Sequence, residues 1–113
     1  LRNTKMQCRI TLSAIPLIED ALRLSQLGVQ SSLYPQNAEQ LKNIEHSTSQ
    51  LDHENFPFLF DPQTSGGLLA FVDKTAAQQC LSQLHQAGFQ EACVIANTVK
   101  MDDTNQQSIA LTL

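Results

Sequence analysis

Apolar and polar residues alternate strictly at the start of the chain. Met6, Cys8, Ile10 and Leu12 interleave with Lys5, Gln7, Arg9 and Thr11. A period of two places one set on each face of a strand, so residues 5–12 are expected to form a half-buried strand with one polar face. The period then changes to that of a helix. Ile18, Ala21, Leu22 and Ser25 form an i, i+3, i+4, i+7 stripe, widened by Leu17 and Leu24, with Ser13 as N-cap candidate and Gly28 as terminator. Residues 29–37 read as a loop closed by Pro35. Asn37, with Gln40 three residues on, is expected to cap a short helix over 38–45.

Residues 46–55 are polar apart from Leu51 and read as a mobile loop, after which Phe56, Phe58, Leu59 and Phe60 return to the core. Leu68-Leu69-Ala70-Phe71-Val72 is an uninterrupted apolar run, the mark of a buried strand. Thr75 and Gln78 have capping-box spacing before a helix whose face carries Ala77, Cys80, Leu81 and Leu84, ended by Gly88. Residues 92–101 read as another apolar strand, 102–105 as a turn, and 108–113 as a last alternating strand. The order β-α-α-β-α-β-β predicts an α/β (α+β) fold, a mixed sheet of about four strands covered by helices. A length of 113 residues suits one domain, 1–113, with a single core.

Composition narrows the function. A net charge of −4 with only seven scattered basic residues argues against a nucleic-acid-binding face. No apolar run approaches the roughly 20 residues that span a bilayer, and a soluble, cytoplasmic protein without membrane partners is expected. Cys8, Cys80 and Cys93 form no Cys-x-x-Cys pair, and their apolar neighbours suggest three small buried hydrophobes. His46, His53 and His85 fit no zinc spacing, and His85 falls near a helix C-terminus, where an imidazolium suits the dipole. No catalytic residue and no metal ligand set emerges.

Candidate chemistry concentrates in Phe60-Asp61-Pro62-Gln63-Thr64-Ser65-Gly66-Gly67-Leu68-Leu69. Asp61-Pro62 initiates a turn. The paired glycines permit close backbone approach to a ligand. Successive N–H groups in such a loop can form an anion nest, to which the Thr64 and Ser65 hydroxyls could add hydrogen bonds. Asp61 could meet Mg²⁺ directly or through water. A self-bonded turn at a strand entrance is the competing reading. No lysine follows the glycines, so the loop is not a P-loop.

This string closely resembles the signature of the selenophosphate synthetases (selenide, water dikinases), within the aminoimidazole-ribonucleotide-synthetase-like, PurM-type superfamily. Ile15-Pro16-Leu17 and the segment from Gly28 to Asn37 support the resemblance along nearly the whole chain. It implies a PurM C-terminal-domain-like fold truncated at its N-terminus, since Leu1 is no initiator. It further implies a parent enzyme that makes selenophosphate, AMP and phosphate from ATP, selenide and water with Mg²⁺, and a homodimeric parent. The nucleophile, its lysine and most metal-binding aspartates would lie in a missing N-terminal ATP-binding domain, so the fragment is expected to be inactive and to bind no cofactor tightly. Asp61, Gln63, Thr64, Ser65, Gly66 and Gly67 would line a nucleotide- or phosphate-proximal loop, and Asn37 would lie near substrate. The Ser32-Leu33-Tyr34-Pro35-Gln36-Asn37 segment is similar to the form fused behind an NADH-dehydrogenase-like oxidoreductase. A non-catalytic dimerisation or docking domain, and an ATP-dependent relative with another substrate, remain as alternatives.

Overall fold

The computed structural model describes residues 5–64, 66–101 and 107–113. Ser65 and the turn expected at 102–105 lie outside the described residues. The chain forms two compact units, Leu1–Pro62 with Ile95–Leu113, and Gln63–Val94.

The first unit is built on β1 (Met6–Thr11), whose alternation is the one read from the sequence. It pairs antiparallel with β3 (Ala96–Lys100) and parallel with β4 (Ile109–Thr112), which pairs parallel with β2 (Ile44–Glu45). The result is the expected mixed four-stranded sheet, in the order β2-β4-β1-β3. In the register Cys8 stands beside Ile109 and Ile10 beside Leu111, which gathers the apolar positions of three strands on one face. Cys8, Leu12, Phe60, Ala110 and Leu111 are buried.

The polar face of β1 is only partly solvated. Gln7 has no exposed surface. Its Nε2 donates to Glu45 Oε2 at 2.7 Å and to the Gln107 carbonyl at 3.2 Å, while its Oε1 accepts from Arg9 Nε at 3.0 Å. Burial of an amide is tolerated because both of its ends are hydrogen-bonded.

Helix boundaries depart from the periodicity. Ser13 lies in a 3-10 turn (Leu12–Ala14) and caps no α-helix, because Pro16 holds Ile15 extended. Helix α1 (Ala21–Gln26) begins only after Asp20, whose positive φ of 65° reverses the chain and whose carboxylate meets Arg23 at 2.9 Å. Helix α2 (Tyr34–Ala38) starts earlier than expected, since Pro35 sits in its first turn, where a missing N–H costs nothing. Asn37 is therefore inside α2 and not its cap. A 3-10 turn (Glu39–Asn43) replaces the rest of the predicted helix.

The expected mobile loop at 46–55 is ordered. Ser47 and Gln50 make a capping box on α3 (Thr48–Leu51). Gln50 Nε2 donates to the Leu111 carbonyl at 2.7 Å, and buried Asn55 donates to the Leu12 carbonyl at 2.9 Å. Side-chain amides thus take up carbonyl groups at the sheet margin and pin the segment, an interaction hydropathy does not encode.

The second unit carries α4 (Ala77–Gln86), as its stripe predicts. Thr75 does not cap it; its N–H and hydroxyl both bond Asp73 Oδ1, closing a turn ahead of the helix. Gly88, at φ 100°, ends it in the left-handed conformation that glycine adopts without strain. His85 lies in the last turn, where its Nε2 is 2.8 Å from the Ala92 carbonyl. Three expectations fail between residues 68 and 101. Residues 68–72 form no strand and are exposed, Phe71 by 64%. The expected strand at 92–101 is shortened to Ala96–Lys100, and Cys93 is exposed while Cys80 is half-buried. A strand requires a ladder partner as well as an apolar run. The sheet position expected for 68–72 is absent, and β2 supplies the fourth strand.

Candidate functional site

The approach to the candidate loop is fixed from three directions. Phe60, only 5% exposed, meets Phe56 edge-on at 5.5 Å between ring centroids and Tyr34 at 6.4 Å. Its carbonyl accepts from Asn37 Nδ2 at 2.9 Å. A 3-10 turn (Phe56–Leu59), opened by Pro57 in its first turn, delivers the ring into the core. Local aromatic content made these anchors legible in the sequence. The hydrogen bond that Asn37 makes across 23 residues was not.

Asp61 follows directly and is half-buried. It lines a cleft of about 230 Å³ with Ile18, Leu24, Val29, Tyr34 and Phe58. The cleft also receives Ser25, Gln30 and Ser31. It is mainly apolar with a polar rim, so it can hold a small apolar group beside a carboxylate. None of these cleft residues besides Asp61 was picked out as a site residue. Their common signal is the stripe of α1 combined with the 29–34 segment.

Gln63, Thr64, Gly66 and Gly67 belong to the second unit and are exposed. Gly66 folds back on Gln63 so closely that a Cβ there would stand 2.7 Å from Gln63 Cβ. The position therefore requires glycine for space. Gly67 has nothing within 4 Å of such a Cβ. Asn37 and Asp61 are thus brought to one part of the first unit, while Gln63 and Gly66 define a tight bend in the second.

Burial pushes the Cys8 thiol above its ordinary value, making it a poor nucleophile at neutral pH. The two hydrogen bonds from Thr75, that of its side chain first, hold the Asp73 carboxyl below the usual range. Among the described residues no group of three or more His, Cys, Asp or Glu side chains could hold a metal ion. No helix among them is long and apolar enough to cross a membrane.

The chain is similar in sequence to known proteins. The chain is 29% identical over 98 residues to a selenide, water dikinase of Paraburkholderia xenovorans, a match covering 87% of this chain. It is 31% identical over 100 residues to that of Bdellovibrio bacteriovorus, covering 88% of this chain, and 30% identical over 95 residues to that of Pseudomonas straminea. The chain is a relative of the selenide, water dikinases. It spans only 28%, 28% and 26% of the length of these three relatives. No family model matches it. The mixed sheet with its helices is the α+β fold that the resemblance to selenide, water dikinases implies. All the candidate residues, from Asn37 to Gly67, lie in a chain matched over most of its length.

Proposed function

We propose that residues 1–113 act as one C-terminal domain of a selenide, water dikinase, in which residues 61–67 form part of the wall of the nucleotide and selenium site. The observation that carries the reading is the relationship to proteins of that name over more than four-fifths of the chain. The tether from Asn37 to the Phe60 carbonyl supports it, because a binding wall gains precision when its entrance is held by the core. In this reading Asn37 is a positioning residue, and Thr64 with the backbone of the Gly66 bend faces phosphate oxygens.

The reaction of the whole enzyme consumes ATP, selenide and water and yields selenophosphate, AMP and phosphate. The loop's hydroxyl and backbone donors suit phosphate oxygens. They do not suit Mg²⁺, for which Asp61 is the only carboxylate of the loop, so no step is assigned to a metal held by this chain alone. The nucleophile and the groups that neutralise transferring phosphoryl charge belong to the remainder of the enzyme, which this reading also takes to be cytoplasmic and homodimeric.

Titration of Mg-ATP, and then of Mg-AMP with phosphate, tests the loop assignment by amide NMR. Saturating shifts confined to Thr64, Gly66 and Gly67 are expected. Absence of shifts at millimolar ligand would remove the phosphate-facing role and favour a docking module.

A further inference from the structure

The cleft of the first unit is shaped by the way α1 ends. Gly28 stands at φ 80°, its N–H bonds the Ser25 carbonyl at 2.9 Å, and the Val29 N–H bonds the Leu24 carbonyl at 3.0 Å. This pair of bonds is a Schellman closure, which turns the chain back and sets the residue after the glycine against the last turn of the helix. Val29 and Leu24 thereby join Ile18 in an apolar wall, and all three remain exposed, Val29 by 58%. Tyr34 and Phe58 add aromatic surface. Tyr34 packs edge-on against the buried Phe60 ring, and the Phe60 carbonyl is tied down by Asn37, so the approach to Asp61 is held by the core. Asp61 supplies the only charged side chain among the residues lining the cleft.

We propose that this cleft binds a small organic ammonium ion, with its apolar body against Ile18, Leu24 and Val29 and its ammonium group at the Asp61 carboxylate. Charge selects the class of ligand. An anion is repelled by Asp61, and a neutral hydrocarbon covers the carboxylate with apolar surface at a desolvation cost. An ammonium donates to the carboxylate in a charge-assisted hydrogen bond and is attracted by the faces of aromatic rings such as Tyr34 and Phe58. A divalent metal is a poor fit, because it requires several oxygen ligands and the cleft offers one carboxylate among mainly apolar side chains. Volume limits the size. A cavity of about 150 Å³ holds benzene, so the cleft of about 230 Å³ holds a ligand of about nine non-hydrogen atoms. Phenethylamine, protonated near neutral pH, has that size and that division between an apolar body and an ammonium group. The inference does not rest on the phosphate-facing reading of the loop, because Asp61 belongs to the first unit and Gln63 to Gly67 to the second.

Amide NMR titration of the 113-residue chain with phenethylamine, its neutral isostere phenethyl alcohol, and phenylacetate tests the site near neutral pH at fixed ionic strength. The amine is expected to shift Leu24, Val29, Tyr34 and Asp61 with a dissociation constant of about 1 mM, in keeping with an open cleft and a small ligand. The alcohol should bind at least about fivefold more weakly, and phenylacetate should not saturate. Asp61→Asn should bring the amine and the alcohol to within about twofold of each other. Ala21→Leu fills the cleft from α1 with a residue that favours the helix, and should abolish binding of both. Unchanged resonances in β1 confirm that each variant keeps its fold. The absence of saturating shifts at about 20 mM amine overturns the cleft as a site. Equal affinities of amine and alcohol for the wild type overturn the role of the carboxylate, a result that depends on no variant. Undiminished binding to Ala21→Leu overturns the location. A separate titration with inorganic phosphate, read at Thr64, Gly66 and Gly67, keeps the two readings apart: failure of the amine alone overturns this inference, and failure of phosphate alone overturns the phosphate-facing loop.

Discussion

The Asn37 side-chain amide donates to the Phe60 carbonyl at 2.9 Å and so ties α2 to the residue immediately before Asp61. The two residues are 23 positions apart, and neither belongs to the sheet. This bond, with the edge-on contacts of Phe60 to Phe56 and Tyr34, makes the start of the candidate loop an extension of the core.

Asn37→Ala should therefore act in two ways. Loss of one partly buried hydrogen bond costs about 1 kcal/mol of unfolding free energy, read from urea denaturation. The amide resonances of Asp61 and the cleft residue Tyr34 should shift more than those of β1. Equal shifts throughout the first unit would show that the bond supports general stability only.

Gln7 sits fully buried between Glu45 and Arg9 on the face that alternation marks as polar. Gln7→Met keeps the volume and removes both polar ends, leaving groups on three neighbours without their present partner. A loss of about 2 kcal/mol is expected, with an unchanged denaturant slope. A neutral effect would mean that water replaces the amide.

Gly66→Ala puts a methyl group 2.7 Å from Gln63 Cβ. The bend must open, at a local cost of about 1–3 kcal/mol. Because the bend is exposed, global stability should change less than the chemical shifts of Gln63 and Thr64 and the phosphate response of the loop. Retention of wild-type phosphate binding would separate the glycine requirement from ligand contact.

The bonds from Thr75 lower the folded-state pKa of Asp73, so the stabilisation linked to this carboxylate is complete above its unfolded value of 3.8 and is lost as pH falls through the folded value. Thr75→Val removes the larger of the two causes. The Asp73 pKa should move up towards 3.8, measured by carboxyl-carbon NMR, and the start of α4 should lose its acid-dependent change. No upward movement would show that the backbone N–H of Thr75 suffices.

Sequence alone determined what depends on near neighbours. The alternation of residues 5–12 specified β1 and its apolar face, the stripe of Ala77, Cys80, Leu81 and Leu84 specified α4, and the run from Phe60 to Leu69 carried the resemblance to the selenide, water dikinases. Periodicity and local turn chemistry are carried by the residues themselves, so they can be read without knowing what packs against them. Tertiary structure decided what depends on a distant partner. The polar 46–55 segment is ordered because Gln50 and Asn55 find carbonyls of Leu111 and Leu12, and Gln7 is buried because Glu45 and Arg9 satisfy it. Residues 68–72 have every local property of a strand yet are none, because a strand exists only where a second one accepts its hydrogen bonds.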